Sequence, residues 1–309
     1  MRESAAPGTR SMNWNQARRI LPWDGRRAHA APAAPVRRPA AGPGSHARSL
    51  CIASGKGGTG KSVVTASLAA VLAESQRVLV VDADLGVGNA HILQDVAPEH
   101  SLVDLVEGRA SARDVLAHCG RNLDLLAAGS GVSHVASLEA WEMELVARAV
   151  ADLERDYDWV LVDAGAGISP QTVALAAACD RVLLVTTPDV TALTDAYAFL
   201  KVLVQRDPRA APCFVVNRAT SEGEASQVAE RLRAAARKFL ARDVGCLGWL
   251  PDDRAVSRCV NARSPVVRRE PAAPFATGLR DLAAVVARDP CPGPTLGLGS
   301  RLAASARGG

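Results

Sequence analysis

Three glycines, two lysines and two hydroxyls are packed into the run Lys56-Gly57-Gly58-Thr59-Gly60-Lys61-Ser62, with Gly55 just before it. An apolar stretch, Leu50-Cys51-Ile52-Ala53, enters this run, and a helical pattern from Val63 to Ala73 leaves it. Strand, glycine loop and helix in that order make a phosphate-binding loop. Glycines at 57, 58 and 60 let successive backbone N–H groups turn inward toward phosphate oxygens, with Thr59 between them. The helix that follows points its positive end at the same anion. Lys61 is placed to reach the outer phosphates, and the Ser62 hydroxyl to ligate Mg²⁺. Lys56 is the unusual member. A lysine so early in the loop is badly placed for its own nucleotide and better placed to reach a partner's.

Further acids stand where buried strands end. Val78 to Val81 runs into Asp82-Ala83-Asp84, and two acids after a buried strand are costly unless they serve a cation or a water. Asp84 is the candidate to orient an attacking water, and Asp82 to support the Mg²⁺ shell. Trp159 to Val162 ends in Asp163, which is expected to hold Mg²⁺ through water. The small residues Ala164-Gly165-Ala166-Gly167 then suit a switch segment, with a backbone N–H near Gly167 meeting a γ-phosphate. Val215-Val216 ends in Asn217-Arg218. The Asn217 amide offers a donor beside an acceptor, which matches the adenine edge. The run Asn217-Arg218-Ala219-Thr220 lacks the aspartate of a guanine-binding N-K-x-D, so ATP is expected rather than GTP. Pro251-Asp252, after the next strand, is placed to pack on the base.

The elements that must hold these groups follow from the apolar pattern. Apolar runs recur at 50–54, 77–82, 122–127, 158–163, 181–186, 212–217 and 245–250, separated by helical patterns such as 63–75, 137–155, 191–206 and 222–240. Continuously apolar strands alternating with helices predict an α/β fold: a single P-loop domain with a mostly parallel, seven- to eight-stranded sheet covered by helices on both faces. Ligands of such sheets bind at the carboxyl ends of the strands, where every motif above falls. A last helical pattern covers 273–288. Its stripe Phe275, Leu279, Leu282 and Val286 reads as core. The expected divisions are a flexible basic arm over 1–48, the ATPase body over 49–288, and a Pro/Gly-rich disordered tail over 289–309.

Charge separates the arm from the body. Residues 1–48 hold nine arginines against two acids, a net +7, so the rest of a chain whose net charge is +4 carries −3. A near-neutral body argues against DNA as a partner. No apolar run reaches the length of a membrane span, and the N-terminus has no apolar core of a secretory signal. The seven cysteines include no C-x-x-C pair, which reads as small buried hydrophobes of a reducing, cytoplasmic compartment rather than a metal site. Within the arm, Trp14, Ala17 and Leu21 form one apolar stripe with Arg18 and Arg19 beside it, so 12–21 reads as a short docking helix or as a segment folded back on its own domain.

Lys56 to Ser62 resembles the K-G-G-x-G-K-[ST] loop of the MinD/ParA ATPases at every fixed position. Asp82-Ala-Asp-Leu-Gly-Val-Gly-Asn89 is similar to that family's D-A-D-L-G-x-x-N switch, which adds Asn89 to the nucleotide contacts. Asp163-Ala-Gly-Ala-Gly-Ile-Ser169 and Thr186-Thr-Pro-Asp-Val-Thr-Ala-Leu-Thr-Asp-Ala-Tyr197 resemble segments of the flagellar-number regulators of the FlhG/FleN type. Asn15-Gln-Ala-Arg-Arg-Ile-Leu21 resembles their N-terminal D-Q-A-x-x-L-R motif, with Asn for Asp and a shifted Leu. The resemblance covers about 49–288. It implies an Mg²⁺-dependent ATPase of slow turnover and an ATP-dependent homodimer that controls flagellar number and placement. Lys56, Lys61 and Asp84 would be catalytic. It also implies an FlhF-type GTPase as partner through 12–21, with a flagellar transcription regulator or basal-body component as further partners, at the inner membrane or cell pole. The terminal amphipathic membrane helix of these proteins is not recognisable, so membrane contact is not expected. The alternatives are a division-site MinD, which should carry that helix and lack the Gln-Ala arm, and a ParA-type partition ATPase, which should carry a basic body. An ATPase acting on metal clusters or a reductase should carry a cysteine pair.

Overall fold

The computed structural model describes residues 46–84, 88–129, 139–288 and 296–307. The arm motif 12–21 lies outside them. The first strand, β1 (Arg48–Ser54), is central. It lies between β5 (Trp159–Ala166) and β6 (Arg181–Thr186) in a sheet of order β3-β4-β2-β5-β1-β6-β7-β8. The others are β2 (Val78–Ala83), β4 (Leu123–Leu126), β7 (Pro212–Ala219) and β8 (Gly245–Pro251), all parallel. The eighth strand, β3 (Leu116–Gly120), pairs antiparallel with β4 at the edge. Its sequence, Leu-Ala-His-Cys-Gly, shows no apolar run, because an edge strand is half solvated and has only one partner to satisfy.

Side-chain alternation divides the core. Along β1, Leu50 and Ile52 join the cluster under helices α1 (Lys61–Leu72), α8 (Arg254–Asn261), α9 (Val266–Arg269) and α10 (Pro274–Arg288). Cys51 and Ala53 join the opposite cluster, under α3 (Leu102–Val106), α4 (Ala140–Leu153), α5 (Pro170–Ala178), α6 (Val190–Arg206) and α7 (Glu222–Leu240). A single turn, α2 (Ala90–Leu93), follows β2. Helix starts follow local chemistry. Pro170 stands at the first turn of α5 after Ser169, whose hydroxyl accepts from Thr172 N–H at 3.2 Å. Ser221 does the same for α7. Phe275, Leu279, Leu282 and Val286 are all buried, as the stripe on α10 predicts.

The expected disordered tail, 289–309, is corrected over its second half. Helix α11 (Leu298–Arg307) packs along α4 and α5, with Leu298 and Leu302 buried. Glu154, just past α4, accepts from the Leu298 N–H at 2.7 Å. Arg301 Nη2 reaches Asp180 Oδ1 at 2.8 Å and Ser49 Oγ at 3.1 Å. The glycines that read as breaks have a packing reason. A Cβ on Gly299 would stand 2.4 Å from the Ala151 nitrogen and 2.5 Å from the Ala147 carbonyl oxygen, so only glycine lets the two backbones approach this closely. No described helix is long and apolar enough to cross a membrane.

Candidate functional site

The loop 55–60 leaves β1 and turns into α1 at the carboxyl edge of the sheet. Gly58 and Gly60 have φ of +82° and +87°. A side chain at Gly60 is excluded twice, by that conformation and by the Asn217 amide nitrogen, 2.4 Å from where its Cβ would lie. Gly57 and Gly58 instead face open space.

Beneath the loop, two acids stand side by side, because β2 and β5 pair in a register that places Asp82 opposite Asp163. Both are buried. Burial first, and then the Asp163 carboxylate, push the Asp82 carboxyl up to about 7. Lys61 is the counter-charge. Its Nζ lies 2.8 Å from Asp163 Oδ1 and 3.3 Å from Ser62 Oγ, so the ammonium touches two of the three residues expected at the Mg²⁺, the third being Asp82. Thr65, one turn on, lies with its hydroxyl 3.0 Å from the same Asp163 oxygen. The sequence reading missed Thr65. Its only signal is that it follows Ser62 by three residues, on the same helix face. Asp82 accepts from Asp84 N–H with one oxygen and from Ala90 N–H with the other, both at 3.2 Å. It thereby ties the two ends of the segment that carries half-buried Asp84 and exposed Asn89.

Lys56 is held within its own chain. Its Nζ donates to Thr191 Oγ1 at 2.7 Å, in the first turn of α6. Thr191 too was missed, although the Thr186–Tyr197 stretch that contains it was noted. Gly167, at φ +90°, donates its N–H to the Ser54 carbonyl at 2.9 Å. The N–H expected to meet a phosphate is therefore engaged with β1. Asn217 donates through Nδ2 to the Thr59 carbonyl at 2.7 Å, so half of its amide braces the loop. Its Oδ1 and the Thr59 hydroxyl are buried without a protein partner. Arg218, at φ +58°, forms a 3.4 Å ion pair with Asp252, and both side chains are more than half exposed beside Pro251.

This arrangement fits a nucleotide with a divalent cation. The open glycine loop, the two unpartnered buried oxygens beside Asn217 and a carboxylate pair balanced by one lysine leave room for an anion, a base donor and a cation. Among the described residues, no cluster of His, Cys, Asp and Glu resembles a separate metal centre.

Residues 50–266 match the CobQ/CobB/MinD/ParA nucleotide binding domain. Over 244 residues, 79% of this chain and 87% of the relative, the sequence is 30% identical to the antiactivator FleN of Pseudomonas aeruginosa. It is 28% identical over 242 residues to the flagellum site-determining protein YlxH of Helicobacter pylori, covering 77% and 81% of the two chains. Among solved structures, the septum site-determining protein MinD of Pyrococcus horikoshii, complexed with Mg-ADP, superposes with a TM-score of 0.66 at 27% identity. That match covers 78% of this chain and 96% of the other.

Proposed function

The chain belongs to the CobQ/CobB/MinD/ParA nucleotide-binding family, and from that premise we propose that it is an Mg²⁺-dependent ATPase that dimerises with ATP and regulates flagellar number and placement. The observation that carries the ATPase reading is the Lys61 ammonium between Ser62 and the buried Asp82–Asp163 pair, under a glycine loop open to a ligand. The likeness to FleN and YlxH supports the flagellar part.

In this reading Lys61 turns from Asp163 to the outer phosphates. Ser62 and Asp163 hold Mg²⁺, Asp163 through water, with Asp82 supporting them. Bound Mg²⁺ supplies charge neutralisation across the phosphate oxygens. Gly57, Gly58, Thr59 and Gly60 turn N–H groups on the phosphates, and Gly167 trades the Ser54 carbonyl for the γ-phosphate. Asp84 accepts from and orients the attacking water, with Asn89 at the end of its segment. Lys56 leaves Thr191 and reaches the partner protomer's nucleotide. Asn217 accepts from the adenine amino group through Oδ1, while Arg218, Pro251 and Asp252 border the base. Residues 12–21 engage an FlhF-type GTPase.

Titration calorimetry with ATP and GTP in the presence of Mg²⁺ tests the assignment. ATP is expected to bind at least tenfold more tightly. Equal affinity for GTP would overturn the base reading, and no binding of either the whole proposal.

A further inference from the structure

We propose that Thr65 is the positioning residue that keeps Asp163 aimed at the metal once Lys61 has left it, an inference that rests on the Mg²⁺–ATP reading above. Two donors converge on one oxygen. Lys61 Nζ lies 2.8 Å and Thr65 Oγ1 3.0 Å from Asp163 Oδ1. Among the described residues, no donor reaches Oδ2, so Oδ2 is the oxygen left for a metal-bound water. Thr65 and Asp163 are each 1% exposed, so no bulk water replaces a lost donor there.

The Thr65 hydroxyl has one proton and two acceptors within reach, Asp163 Oδ1 and the Lys61 carbonyl at 3.1 Å. A threonine on a helix commonly bonds the carbonyl four residues back, and that alone would be a local matter of α1. Here the carbonyl already accepts from the helix ladder, being four residues before Thr65 N–H in α1. Once Lys61 has left, the carboxylate has no such second source, and a hydrogen bond to a charged acceptor is roughly twice as strong as one to a neutral acceptor. The proton therefore belongs on Asp163.

The two donors differ in what a nucleotide does to them. Lys61 has a long, flexible stem, and the phosphates draw it away. Thr65 is β-branched, stiff at χ1, and fixed to the buried face of α1. After Lys61 departs, Thr65 is the protein donor that still holds Oδ1. Leaving a buried carboxylate oxygen without any donor is costly and frees the carboxyl to rotate. The same helix face thus presents Ser62 to the metal and Thr65 to the metal's carboxylate.

The test titrates Mg²⁺ by calorimetry into protein saturated with a non-hydrolysable ATP analogue. Thr65→Val, which removes the hydroxyl and keeps the shape, is expected to raise the Mg²⁺ half-saturation about tenfold. Thr65→Ser is expected to stay within about twofold of the parent, and metal-free analogue affinity to hold within about twofold in both. An unchanged Mg²⁺ requirement in Thr65→Val overturns the inference. So does an equal loss of metal-free binding, which would mean that the hydroxyl only supports the start of α1, or a Thr65→Ser no better than Thr65→Val. Should Thr65→Val melt below the assay temperature, Thr65→Ala takes its place with the same outcomes. A parent protein indifferent to Mg²⁺ sinks both this inference and the reading beneath it, and is recognised before any substitution is made.

Discussion

Gly299→Ala reverses the usual sign of a glycine substitution in a helix. On a solvated helix, alanine in place of glycine stabilises by up to about 1 kcal/mol. On α11 the new methyl would meet the Ala151 nitrogen at 2.4 Å, the Ala147 oxygen at 2.5 Å and the Ala151 Cα at 2.6 Å, all of them backbone. None of these can swing aside as a side-chain tip would. Overpacking of this kind costs about 1–3 kcal/mol, and the backbone contacts place this site at the upper end, so after a helix gain of about 1 kcal/mol is subtracted the net effect is a loss of up to about 2 kcal/mol. For a domain of this size a loss of about 2 kcal/mol corresponds to a melting temperature lower by about 4–8 °C, which is the upper limit. The loss is limited by the docking energy, because a larger clash would release α11 altogether. Release would expose Arg301, whose side chain is now only 20% accessible, to trypsin. Urea unfolding and limited trypsinolysis of parent and variant are the assays. Leu302→Ala, which empties a site 3% exposed, provides a reference loss of about 2–5 kcal/mol. A Gly299→Ala protein that is as stable as the parent, or more so, with no faster cleavage at Arg301, refutes the docking of α11 on α4.

Burial and then Arg263 push His91 down to about 4 from 6.5, so the folded chain resists its protonation. The unfolded chain takes up that proton first as pH falls, so stability drops between about pH 6.5 and 4, by at most about 3 kcal/mol. Urea midpoints of the parent and His91→Gln at pH 7 and 5 should show the smaller pH difference in the variant, and equal differences would count against it. Lys56→Ala is expected to bind ATP as the parent does but to stay monomeric in size-exclusion chromatography with ATP, whereas Lys61→Ala should weaken nucleotide binding itself. Normal ATP-driven dimerisation of Lys56→Ala would remove it from the partner's site. Deletion of residues 1–22 should leave ATP hydrolysis unchanged and abolish stimulation of an FlhF-type GTPase, and a peptide of residues 10–24 should restore it. An inert peptide together with a destabilised body would make the arm a structural segment.

The sheet was legible because both faces of its strands are covered. Runs such as Val78–Val81 and Val182–Val185 are then apolar at every position and announce themselves without any partner being known. Half-solvated β3 carries no such mark. Helix α11 was obscured for a related reason: Gly299 is a poor helix residue, and only the nearness of α4 makes a glycine the right choice there. Local propensity reports on a segment alone, whereas this segment is stable through what it touches.

By itself, the sequence determined the chemistry of the loop and the class of the fold. The glycines, lysines and hydroxyls of 56–62 follow one another directly, each acid stands straight after its own apolar run, and both patterns depend on backbone rules that act over a few residues. Tertiary structure alone decided which of them meet. Asp82 and Asp163 are 81 positions apart and become neighbours through the β2–β5 register. Asn217 spends half of its amide on Thr59, 158 positions away. Lys56 rests on Thr191, Gly167 on Ser54, and Thr65 on the oxygen it shares with Lys61. Such contacts are set by how the strands are ordered and how helices lie across them, and no local pattern encodes a distance between segments that far apart in the chain.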